Sequence, residues 1–242
     1  MKRLLLLFVL ECHALMLPSL NNLAIWNARD ILEIEKTKMI AFRYSEPFDN
    51  FHNGKLDIAW SDGSFLAAAG FGSAALDSIY KELEFSGSIG FKPFNFLSLQ
   101  IAENANISWV PENASWQEHN IFVGASFFYM DWAKISVFQK MSIISKTPIA
   151  ISWFFACETN FSSLYSFGME LPVNAQNEAD FRLFQKISLG YFNIYNSFAY
   201  PGPVLGFGFI LSTSRASAGA GHLRGSYPNG HTGYIIKWQG LD

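Results

Sequence analysis

Cysteine is nearly missing from this chain: Cys12 and Cys157 are the only two. Cys12 lies in an N-terminal stretch with the marks of a leader. A mature chain would keep Cys157 alone and could form no intrachain disulfide, which excludes small secreted folds that depend on such bonds. Cys157 shares the parity of Ile151, Trp153 and Phe155 and reads as a small hydrophobe, not a reactive thiol. Charge is scarce as well. Asp, Glu, Lys and Arg make up 15% of the residues, against about 25% in soluble domains. With a net charge of -3 there is no concentrated basic surface, so no nucleic-acid partner is expected. Long helical hydrophobic runs are absent too. The longest charge-free stretch, 187–214, carries Pro201-Gly202-Pro203 in its middle, and a membrane-spanning helix would break there.

What the chain does have is alternation. Phe181, Leu183, Ile187, Leu189 and Tyr191 alternate with Arg182, Lys186, Ser188 and Gly190. Leu83, Phe85, Ile89 and Phe91 alternate with Glu82, Glu84, Ser86, Ser88 and Lys92. A period of two sends successive side chains to opposite faces of a strand, giving each run one apolar and one polar face. Aromatics amount to 17% of the chain, and 24 residues are Phe. Aromatic apolar faces backed by charged ones suit a membrane β-barrel, with lipid outside and a polar lumen inside. The expected fold is therefore all-β, an antiparallel transmembrane barrel of about 12–14 strands with a short N-terminal helical segment.

The N-terminus reads as an export signal. Lys2 and Arg3 precede an apolar core, Leu4 to Leu10, and Cys12-His13-Ala14 supplies small residues for cleavage. That core is too short to span a bilayer as a helix. The domain reading is a signal peptide at 1–14, with a cleavage site nearer residue 19 as its rival. A helical segment or plug follows at 15–36, then a barrel at 37–242. Within 19–36, Leu20, Leu23, Ala24, Ile31 and Ile34 recur at roughly helical spacing.

Turn signals divide the rest. Asn53-Gly54 reads as a two-residue hairpin turn and Asp62-Gly63 as the next reversal. Pro93-Phe94-Asn95, Met130-Asp131-Trp132 and Asn160-Phe161-Ser162 separate later strand pairs. At the end of the chain, Gly233 followed by Ile236 and Trp238 reads as a glycine and two large apolar residues on one face, and resembles the final strand of bacterial outer-membrane barrels.

Catalytic and cofactor motifs are weak. Gly70-Phe71-Gly72-Ser73-Ala74-Ala75 fits the G-x-G-x-x-A nucleotide fingerprint, but the βαβ context it requires is missing. Small residues in a curved strand explain it better. His13, His52, His119, His222 and His231 show no metal-ligand spacing on a helix face, although His222 and His231 could approach across a hairpin. No G-x-S-x-G elbow is present. No enzyme activity, cofactor or metal is expected.

The polar faces supply the site candidates. Glu82, Glu84, Lys92, Lys134, Lys140, Glu158, Glu170, Arg182 and Lys186 are expected to face the lumen, because charge facing mid-bilayer lipid costs a few kcal/mol. Acids and bases balance among them. That favours mutual salt bridges over an ion-selective path, while Glu82, Glu84, Arg182 and Lys186 would line or gate any route. Trp60, Trp109, Trp132, Trp153 and Trp238 are the candidate anchors at the membrane interfaces.

Trp26-Asn27-Ala28-Arg29, followed by Met39-Ile40-Ala41-Phe42-Arg43-Tyr44-Ser45-Glu46-Pro47-Phe48, resembles the opening of the PorV/FadL-type outer-membrane barrels, the superfamily of long-chain fatty-acid transporters. The resemblance implies a bacterial outer-membrane barrel of up to fourteen strands. It leaves two roles open: passing or binding a hydrophobic small molecule, or acting as a scaffold or secretion accessory for exported proteins. Residues 111–119 and 172–180 are candidate surfaces for the second role. A third reading inverts the faces and makes the chain a soluble, periplasmic lipid-binding barrel or sandwich. Outer-membrane lipid is the expected surrounding in the first two.

Overall fold

The computed structural model describes residues 37–240 apart from 47–50, 77–79, 111–114, 130–131, 145–148, 174–180, 201–203 and 225–230. The signal-peptide and helical-segment readings at 1–36 lie outside the described residues.

The alternating runs all form strands. In chain order they are β1 (Thr37–Glu46), β2 (Phe51–Ser61), β3 (Phe65–Leu76), β4 (Tyr80–Phe94), β5 (Leu97–Trp109), β6 (Trp116–Tyr129) and β7 (Ala133–Ile144). The second half is β8 (Ala150–Ser162), β9 (Tyr165–Val173), β10 (Phe181–Leu189), β11 (Phe192–Tyr200), β12 (Val204–Ser212), β13 (Ala216–Arg224) and β14 (His231–Gly240). Each pairs antiparallel with its sequence neighbours, and β1 pairs with β14, so the sheet closes on itself. Closure removes the unpaired edges that an open sheet would present. The lengths, from 9 residues in β9 to 15 in β4, suffice for a tilted strand to cross a bilayer core.

The two ends of the barrel differ. Asn95–Phe96, Ser163–Leu164 and Gly190–Tyr191 are tight turns at the end where β1 begins and β14 finishes. Longer connections, such as 110–115 and 174–180, gather at the opposite end. Outer-membrane barrels show this asymmetry between short turns and longer loops. Asp62 caps one tight turn, its side chain accepting from the Ser64 and Phe65 amides at 2.8 and 2.7 Å. Gly63 there has φ +93°, a conformation that favours glycine.

Three expected turns move. Pro93 and Phe94 end β4 and that turn falls at Asn95–Phe96, and two others shift further, while Met130-Asp131 lies outside the described residues. Asn53-Gly54 lies inside β2, where Gly54 is the register partner of both Tyr44 and Ser73. Pairing on both sides overrides the local preference of that dipeptide. Asn160-Phe161-Ser162 belongs to β8, with an irregularity in the register there, and the turn falls at Ser163–Leu164. The Gly70–Ala75 segment lies within β3, as its small residues suggest. In β14 the outward residues are Tyr234, Ile236 and Trp238, while Gly233 stands on the opposite alternation next to buried Ile235. The terminal pattern is therefore not a single face.

Burial follows the same period. Ile40, Phe42, Leu56, Ile58, Phe85, Ile89, Leu99 and Ile101 are exposed on the outside of the wall. Asp57, Glu82, Glu84, Ser98, Ser108, Ser126 and Ser136, on the other alternation, are buried within it. Water-soluble barrels bury apolar residues inside, so this inversion argues against the soluble reading. The largest buried apolar cluster is small, made of Met39, Ala59, Leu66 and Ala68 on β1–β3.

Candidate functional site: the inner wall of the barrel

Three sectors divide the inner wall. The first, on β1–β5, is polar and ionic. Arg43 donates to Asp57 at 3.2 Å, and Asp57 is fully buried. Lys55 pairs with Glu84, whose carboxylate also accepts from Asn104 Nδ2 at 2.8 Å. The register explains the meeting: Gly72 stands between Lys55 and Glu84 as the partner of each and leaves the space open. Tyr80 donates to Glu82 and lies 3.3 Å from the Ser108 hydroxyl. Buried pairs of this kind keep their charge only because opposite charge and hydrogen bonds replace lost water.

The second sector, on β6–β10, sets aromatic rings among buried charges, Glu118, Lys134 and Glu170. Phe138 lies over Gly124, its register partner, so closely that a Cβ there would sit 2.0 Å from the ring. Phe184 lies over Gly168 in the same way. Each glycine lets a large ring lie flat against the wall. Phe154 is the next partner of Phe138, and its ring is 6.5 Å from that of Phe122. Lys140 stands 5.8 Å from the Phe122 ring centre and Lys92 5.3 Å from that of Phe128, both within cation–π range. The third sector is rich in glycine on β12 and β13, with Gly206, Gly208, Gly219 and Gly221 around buried Ile210, while β14 adds buried Ile235 and half-buried Lys237.

The expected lumen charges fall as follows. Glu82, Glu84, Lys134 and Glu170 are buried on the inward alternation. Glu158 lies 3.4 Å from Lys134 across the β7–β8 pairing. Lys92 and Lys140 contact rings as described, and Lys186 is half-buried. Arg182 is the register partner of Glu170. Glu82 and Glu84 therefore join networks on β1–β5, separate from the Lys134–Glu158 pair on β7–β8. The five tryptophans are all exposed. Trp60, Trp132 and Trp238 lie toward the end with tight turns, and Trp109 and Trp153 toward the other. His222 accepts or donates at 3.1 Å with Thr232, while His231 is the register partner of Leu223. Of the candidate docking surfaces, Trp116–His119 and Pro172–Val173 are strand, and Glu118 is buried. The rest, apart from exposed Ser115, lies outside the described residues.

Gln100 was not legible as a site residue. It is buried on the inward face of β5, and neither its amide oxygen nor its nitrogen has a hydrogen-bond partner. Its register partner is Gly124, the residue covered by the Phe138 ring. A buried amide without partners is costly, and it borders the aromatic sector. The inward phenylalanines depart from the expectation as well, since the alternating runs point to an aromatic outer face. The parity of Phe122 with Glu118 and Asn120 on β6, of Phe138 with Lys134 and Lys140 on β7, and of Phe154 with Glu158 on β8 is the available signal.

The fold is that of the outer-membrane β-barrels. One similar solved structure is the CymD monoaromatic hydrocarbon channel, with TM-score 0.60 and 8% identity, covering 89% of this chain and 90% of that one. Another is the KdgM porin, with TM-score 0.50 and 12% identity, covering 84% of this chain and 99% of that one. No family model matches the sequence, and no curated protein matches it either.

Proposed function

We propose that the chain is an integral protein of the bacterial outer membrane that binds or passes a small, largely apolar solute through its interior. The solute has an apolar, ring-sized body and one uncharged hydrogen-bonding group. The observation that carries this reading is the unpartnered Gln100 amide, in one register row with Gly124, the Phe138 ring that covers that glycine, and Phe154. Binding sites for small molecules combine such apolar walls with a few placed polar groups. The near balance of inward charge supports an uncharged solute, since a pore selective for ions would carry an excess of one sign. The exposed apolar outer wall supports contact with lipid, with the five tryptophans as anchors near the two interfaces. Lumenal charges such as Glu82, Glu84, Arg182 and Lys186 would then frame the path.

Saturable binding of radiolabelled benzamide to the detergent-purified protein tests this. The expectation is binding that Gln100→Leu weakens about fivefold, the loss of one hydrogen bond, and that an equimolar sugar does not displace. Equal binding by wild type and the Gln100→Leu protein, or displacement by the sugar, would remove the assignment.

A further inference from the structure

The outer wall is apolar over most of its described surface, with one charged exception at mid-strand. Glu103 and His119 lie on its outward face, 56% and 42% exposed, with His119 Nδ1 2.9 Å from Glu103 Oε1. Among described outward side chains of the strands, the other formally charged ones, Lys38, Lys81 and Arg224, stand within two residues of a strand end. Glu103 is at the middle of the 13-residue β5. Its parity with Leu99, Ile101, Ile107 and Trp109 puts it where lipid tails are expected.

The ground around the pair is low. Ala69, Gly87 and Glu103 occupy one row across β3, β4 and β5, and Ala105 is the register partner of His119. Phe71 and Phe85, with ring centres 5.4 Å apart, border the dip. Small residues allow two membrane surfaces to approach closely, and polar groups at that depth are normally turned toward protein.

We propose that this patch is where two copies of the chain meet, about a twofold axis along the membrane normal. The inference rests on the outer-membrane reading above. The charge arrangement selects a second copy as the occupant. A twofold interface is self-complementary: an acid on β5 and a base two register positions away on β6 are each brought opposite the other's counterpart. Glu103 of one copy then faces His119 of the second, and the reverse, with the Ala69–Gly87–Ala105 dip providing room. Two acids or two bases at these positions would repel in the same geometry.

Charge complementation tests the pairing. Wild type, Glu103→Lys and His119→Glu proteins are extracted in mild detergent, sized by light scattering, and run with and without boiling to confirm a folded barrel. Wild type is expected to be dimeric and each variant at least tenfold weaker in self-association. The two variants, co-expressed with different tags, are expected to form mixed dimers, because the introduced lysine of one copy then faces the introduced glutamate of the other. A monomeric wild type, undiminished dimers of either variant, or folded variants that fail to form mixed dimers would each overturn the proposal. Cysteine cross-linking in native membranes gives an independent check with little demand on folding. In a Cys157→Ala background, Ala105→Cys is expected to yield a cross-linked dimer and Phe207→Cys on β12 none. Cross-links from Ala105→Cys only to a different protein would contradict a second copy. A wild type without heat-dependent mobility would instead bring down the membrane reading itself.

Discussion

At the scale of single residues, the inner wall is held by pairs whose members are far apart in sequence. Lys55 and Glu84 illustrate this, with Asn104 as a third member. The alternation in β4 was enough to put Glu82 and Glu84 on the polar face. It could not supply their partners, because pairing depends on the register between β2, β3 and β4. The same dependence hid Gln100, whose significance lies in what it fails to touch. Glu103 was readable, since it breaks the apolar parity of β5. Truncating one partner of a buried pair leaves the other charge exposed to its desolvation cost. Glu84→Ala is thus expected to lower stability by about 3 kcal/mol, measured as a lower temperature for loss of the compact gel form. Lys55→Met with Glu84→Met should recover much of that loss. An unchanged transition in Glu84→Ala would show that the pair contributes little.

Elements were more legible than residues. A period of two is a local property, and its apolar and polar sets appear in each strand without knowledge of the neighbours. Turns were legible where the chain is constrained locally, as at Asp62-Gly63, where side-chain caps and a left-handed glycine fix the reversal. They were misplaced where pairing decides, as at Asn53-Gly54. The parity itself is open to test on β2, where exposed Ile58 and buried Ala59 are adjacent. Ile58→Arg places a cation toward the bilayer and should cost about 2–4 kcal/mol if it lies near the midplane, read by reversible unfolding in lipid vesicles. Ile58→Val should be nearly silent. Similar stability for the arginine variant and wild type would contradict the outward assignment.

The molecule as a whole combines closure, two unlike ends and an inverted burial pattern. Closure was implied by the number of alternating runs with one apolar and one polar face, but the exact pairing of β1 with β14 is a long-range fact. The division of the inner wall into ionic, aromatic and glycine sectors also emerges only when the strands are set side by side. Two inward phenylalanines then prove to need a glycine on the neighbouring strand, Phe138 with Gly124 and Phe184 with Gly168. The apolar outside is the feature on which both the solute reading and the paired-copy reading depend. The most direct test is to express the full chain in a bacterium with an outer membrane, strip the membranes with carbonate, and compare gel mobility with and without boiling. Retention in the outer-membrane fraction with a heat-dependent shift is the predicted result. Release of the protein into the soluble fraction, with one mobility under both conditions, would contradict a lipid-facing barrel.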